Sequence, residues 1–246
     1  MSWLRLMEEH IKSGKKSRVL TLIGEMWPAY LIEVLVIILG ITITLALEEW
    51  RDVSREERLA SIYNKNLQTD IATDLQTLQY TTGNTRALID RGNELLAFAD
   101  DPEKAPLSPG RLDTNLQMVL GRPDFISSDP TFSDLKSSGN LHLIKDIRLK
   151  NLLFAYYSLV QNIREVQDAE RQATIVISAP YFLHAFPLGT GAGAGMPPRQ
   201  LAALAKDIGF RNNVLLRVSN RKELLEDYER ATTLAGQVRD ALRAGE

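Results

Sequence analysis

From Met26 to Leu47 the chain reads MWPAYLIEVLVIILGITITLAL, about 22 residues that carry a single charge, Glu33. At about 1.5 Å per residue, a helix of that length crosses a hydrocarbon core of about 30 Å. Val34 to Leu47 is apolar or weakly polar all round, whereas a helix packed on a soluble core keeps a polar face. The run stops abruptly at Glu48-Glu49-Trp50-Arg51-Asp52, and Trp27 and Trp50 stand at its two ends as membrane-interface anchors. The pattern predicts a transmembrane helix over residues 26–47.

Residues 1–25 read as a cytoplasmic amphipathic segment. Trp3, Met7, His10, Ile11 and Gly14 recur at helical spacing, with Glu8, Glu9, Lys12 and Lys16 turned elsewhere, which suits a membrane surface or a partner protein. Five basic residues precede the span (Arg5, Lys12, Lys15, Lys16 and Arg18), whereas Arg51, Arg55 and Arg58 follow it. The positive-inside rule therefore places the N-terminus in the cytoplasm of a bacterium and residues 48–246 in its periplasm, with the span in the inner membrane.

In residues 48–246 the apolar positions step by three and four. Leu59, Tyr63, Leu67, Ile71, Leu75 and Leu78 predict a long juxtamembrane helix ending near Asp100, where Asp101-Pro102 and a Pro/Gly/Ser-rich stretch interrupt it. A short helix is expected at Arg111 to Leu120. Another begins at Ser128-Asp129-Pro130, with a side-chain oxygen as cap, and ends at Gly139 in a left-handed turn. Ile147, Tyr156, Ile163 and Val166 mark a longer helix from about Asp146 to beyond Gln172. Ile175 to Phe186 is β-branched and ambiguous, but Pro180 and the lack of a pairing strand favour continued helix and then a loop. Pro198 opens a helix over Arg199 to Ile208, and Val214, Val218, Leu225, Tyr228, Val238 and Leu242 trace the last one. The expected fold class is all-α: one N-terminal transmembrane helix followed by a helical bundle domain.

A formal charge of -2 leaves no basic footprint for nucleic acid, and the absence of cysteine removes disulfides, thiolate nucleophiles and sulfur-ligated metals. The glycine run Gly189 to Gly195 lacks the strand before it and the packed helix after it that a dinucleotide site needs, so it reads as a loop. Three histidines, His10, His142 and His184, have no metal-ligand spacing. His184, between Phe182 and Phe186, is expected to be a packed or interfacial ring, and His142 has no nucleophile facing it. Asp70 and Asp74, like Glu223 and Glu226, read as solvated helix faces. No catalytic, cofactor-binding or metal residue is expected, and no enzyme activity.

Two stretches carry a resemblance. Tyr30 through Trp50 holds Glu33, Gly40 and Trp50, and farther on come Ser138-Gly139-Asn140-Leu141, Leu143-Ile144-Lys145-Asp146, Leu149 and Tyr156-Tyr157. Both resemble an uncharacterised family of bacterial single-span membrane proteins known as a domain of unknown function, although Glu48-Glu49 stands where that family usually has Asn-Asn. The resemblance implies a short cytoplasmic N-terminus, one span and a helical exterior domain, and it implies no activity.

Glu33, Ile37, Gly40 and Thr44 fall on one face of the span and form its expected docking surface, since Gly40 and Thr44 let another helix approach closely. The expected function is a non-enzymatic accessory or scaffold subunit docked on a larger membrane assembly, for example respiratory, photosynthetic or transport. Its expected partners are membrane lipid and other membrane subunits or a second copy. The alternative is a periplasmic ligand-sensing domain working with a separate transducer.

Overall fold

Helix follows from apolar positions that recur every three or four residues, and the breaks fall at proline and glycine. The computed structural model of the protein describes the backbone of residues 3–186 and 198–244, and the side chains of Trp27, residues 31–186 and residues 199–244. Among the described residues there is no strand. The chain divides into two units, Met1–Leu59 and Ala60–Glu246, and α1, Trp3–Asp100, contributes to both.

In the first unit α1 contains a stretch long and apolar enough to cross a membrane, with none of it buried. Thr42 and Thr44 turn their hydroxyls back onto the carbonyls of Ile38 and Gly40, at 2.8 and 2.9 Å, so neither hydroxyl is left without a partner in an apolar surrounding. The amphipathic face expected around Trp3, Met7 and Ile11 lies outside the described side chains.

The second unit adds α2 (Pro109–Leu120), α3 (Pro130–Ser137), a 3-10 turn at Asn140–Leu143, α4 (Ile147–Ala173), a π-helical segment at Thr174–Ser178, α5 (Ala179–Ala185), α6 (Pro198–Ala205) and α7 (Ile208–Ala244). Its core falls into two clusters. Leu67, Ile71 and Leu78 of α1 meet Tyr156 and Ile163 of α4 and Tyr228 and Val238 of α7. Farther along α1, Leu95 and Phe98 meet Leu112 and Leu116 of α2, Phe182 of α5, and Phe210 and Val214 of α7. Between them α1 and α7 come close at Gly92, where an added Cβ would lie 2.2 Å from Val218 Cγ2. Ser108 accepts a bond from the Arg111 N–H and so caps α2, and Asp146 caps α4 through Arg148. Gly139, at φ 75°, supplies the left-handed turn after α3.

Several local expectations are corrected. Asp129 makes no capping bond, and the cap of α3 comes from another element, as described below. Ile147 is 71% exposed, and the buried stripe of α4 starts at Leu153. The helix opened by Pro198 ends at Ala205, and Ile208 begins α7 instead, because Asp207 accepts from the N–H groups of Gly209 and Phe210 and caps that helix. The loop Gly189 to Gly195 lies outside the described residues.

The π-helical segment has a local cause. Pro180 has no N–H, and its ring would clash with the carbonyl four residues back in a regular helix. The chain widens just before it, with the Ala179 N–H bonding to Thr174 O across five residues.

Candidate functional site

Asp70 and Asp74 correct the expectation of solvated carboxylates: they are 8% and 0% exposed. Asp74 accepts from the Ser127 hydroxyl, the Ser128 N–H at 2.6 Å and the Tyr156 hydroxyl at 2.6 Å. Asp70 accepts from the Ser128 hydroxyl at 2.9 Å and from the Thr131 N–H at 3.3 Å, so a side chain of α1 caps α3 in place of Asp129. Burial pushes the Asp74 carboxyl above its usual range against the pull of these donors, and burial beside Asp74 pushes the Tyr156 hydroxyl up, keeping it a neutral donor. The spacing held the signal: Asp70 lies three residues from Leu67, and Asp74 lies seven from Leu67 and three from Ile71, on the apolar stripe itself.

A second buried cluster joins α7 to the connection after α2. Arg217 and Arg221 are 1% and 0% exposed and sit on the stripe of Val214 and Val218. Arg217 donates to the carbonyls of Val119 (2.6 Å) and Gly121 (2.8 Å) and to the Thr174 hydroxyl (2.7 Å). Arg221 donates through Nε to Glu170 Oε1 at 3.0 Å, and its Nη2 lies 2.6 Å from Oε2. It also reaches Pro123 O at 3.2 Å and Asp124 at 3.4 Å. With Glu170 3% exposed and Asp124 at the partly exposed edge, the cluster staples a loop to a helix.

His142 places Nδ1 3.0 Å from its neighbour Gly139 O. His184 is exposed rather than packed among the phenylalanines, because α5 turns Phe182 inward and Leu183 and His184 outward. No group of three or more His, Asp or Glu among the described residues is arranged to hold a metal ion.

Two surface features remain in the second unit. A groove of about 440 Å³ runs between α3 and α4, walled by Phe132, Phe154 and Tyr157 and edged by Lys136, Arg164 and Asp129. The π-helical widening turns three consecutive apolar side chains outward: Ile175, Val176 and Ile177 are 58, 69 and 53% exposed, and Leu183 of α5 is 59% exposed. Four large apolar residues close together in the chain and open to solvent are more than the scattered exposure of an ordinary surface.

In the first unit Glu33, Ile37, Gly40 and Thr44 are all exposed on α1, and nothing lies within 4 Å of where a Cβ on Gly40 would stand. Trp27 and Trp50 are 58 and 67% exposed. Among known proteins, no family model, no curated protein and no solved structure matches the chain.

Proposed function

We propose that the protein is a non-enzymatic accessory or scaffold subunit, held in a bacterial inner membrane by residues 26–47 and docked on a larger membrane assembly, with its N-terminus cytoplasmic and its helical domain periplasmic. The observation that carries this reading is the apolar patch Ile175, Val176, Ile177 and Leu183, which leaves uncovered the kind of surface that partner proteins cover. The fully exposed apolar stretch of α1 supports the membrane attachment, and the basic excess before Trp27 supports the orientation. Both buried polar clusters have structural partners throughout, which favours an interaction protein over an enzyme.

The test is the size and composition of the particle purified in mild detergent. The wild-type protein should run with other subunits, and Val176→Asp, a surface change that leaves the helical circular dichroism intact, should shed at least one. An unchanged particle would remove the patch from docking. A reporter active only in the periplasm, fused after Glu246, should be active, and activity of a cytoplasmic reporter alone would reverse the topology.

The second reading, a ligand-sensing domain, draws on the groove between α3 and α4. Its volume of about 440 Å³ and its aromatic walls are of the kind that hold a small molecule.

A further inference from the structure

The face that carries Glu33, Gly40 and Thr44 does not stop where the apolar segment stops. Steps of four and three lead from Glu33 through Ile37, Gly40, Thr44 and Leu47 to Arg51, and on to Arg55 and Arg58. At about 100° per residue these eight positions fall within an arc of about 80°, over about 37 Å of helix. All eight are exposed on α1. Glu33, Arg51, Arg55 and Arg58 make no ion pair or hydrogen bond among the described residues. The acids Glu48, Glu49, Asp52 and Glu56 centre about 110° farther round the helix, and Glu57 lies beyond them. One stripe therefore presents an acid near one end, small residues in the middle and three guanidiniums at the other.

We infer that this stripe docks on the transmembrane helix of a different protein. That helix carries acidic side chains in the first turns beyond its span at the Trp50 end, and a cationic or hydrogen-bond-donating side chain at the depth of Glu33. The inference rests on the docking reading above and specifies its partner. Two copies of one inserted chain lie parallel, so a second copy on this face would set three guanidiniums against three and Glu33 against Glu33. Facing like charges oppose association, and the close approach that Gly40 allows brings them nearer. Acids on the partner reverse that sign along the whole arginine stretch. Inside lipid, a donor opposite Glu33 meets the one charged group the span contains, whereas lipid tails offer it none.

The test uses the full-length protein, labelled with a donor fluorophore in phosphatidylcholine bilayers, and three acceptor-labelled synthetic transmembrane peptides inserted parallel to it. Two share a leucine-rich core with a Gly-xxx-Gly face: one carries Asp opposite Arg51, Arg55 and Arg58 and Lys at the depth of Glu33, and the other has those charges reversed. The third reproduces residues 26–60 of this chain. Energy transfer should give the acid-bearing peptide an affinity at least about tenfold above the other two. The triple variant Arg51→Glu, Arg55→Glu, Arg58→Glu should exchange the preference between the first two peptides. Equal binding of those two, lost in Gly40→Leu, would overturn the charge-selected partner while leaving docking through the span in place. Tightest binding by the chain's own segment would assign the face to a second copy and overturn the inference. Binding of none would overturn it too, and would leave the span as an anchor only.

Discussion

Removing Arg221 alone should cost more than removing Arg221 and Glu170 together. Arg221 is fully buried and its guanidinium meets both oxygens of Glu170, a carboxylate that is itself 3% exposed. In Arg221→Met the stem is replaced by apolar volume, but Glu170 keeps its charge, with Arg217 Nη1 at 3.9 Å as its remaining cation. The carbonyl of Pro123 and one oxygen of Asp124 also lose donors. Stranding one member of a buried pair costs about 3–5 kcal/mol, whereas replacing the pair by apolar residues of similar volume is often neutral. At about 2–4 °C per kcal/mol for a domain of this size, Arg221→Met should lower the melting temperature by roughly 6–20 °C. Arg221→Met with Glu170→Leu should recover part of that loss, the remainder reflecting Arg217, which then keeps only the carbonyls of Val119 and Gly121 and the Thr174 hydroxyl. Thermal unfolding of the full-length protein in detergent, followed by circular dichroism at 222 nm, compares the three proteins. Because α7 and the Gly121 to Asp124 connection are tied by the same guanidinium, the single variant should also expose that connection to protease. If the double variant melts no higher than the single one, the loss lies in packing or in the bonds to the loop, and the account of Glu170 as a stranded charge is wrong.

Three further outcomes are expected. Arg111 and Asn115 hold the Glu94 carboxyl down at about 2, so the folded state gains stability from its ionised form above the ordinary carboxylate range and loses it as pH falls through about 2. Carboxyl NMR titration of the wild type should give that value, and Arg111→Gln should move it back up. Gly92→Ala puts a methyl group against Val218 Cγ2 and should destabilise by about 1–3 kcal/mol in urea unfolding, with Val218→Ala relieving it; an unchanged midpoint would remove the close approach of α1 and α7. Tyr156→Phe removes one of three donors to Asp74 without altering ring packing and should cost about 1.5–3 kcal/mol, as for a hydrogen bond to a charged group. A loss below about 0.5 kcal/mol would mean that Ser127 and Ser128 alone satisfy that carboxylate.

The sequence by itself determined many of the features that depend on neighbours close along the chain, though not the Asp207 cap of α7 or the widened turn before Pro180. That the run Met26 to Leu47 is long and apolar enough to cross a membrane is legible directly, because length and hydropathy are properties of a single segment. The end of α1 at Asp100 and the turn at Gly139 follow from backbone chemistry at those residues, whereas α2 starts at Pro109 rather than at the expected Arg111, with Ser108 as its cap. Tertiary structure decided the fate of polar residues that share the spacing of the core. Asp74 and Arg221 sit where a leucine would be expected, and what makes them tolerable lies far away in sequence: Tyr156 for one, Glu170 and the carbonyl of Pro123 for the other. The helical period marks which face a residue occupies, and so places these side chains on the apolar stripe, but it carries no record of which distant donor or acceptor will meet them there. The outward turn of Ile175, Val176 and Ile177 was hidden for a related reason. Three consecutive apolar residues read as a core segment, whereas along the widened turn ahead of Pro180 all three reach the surface.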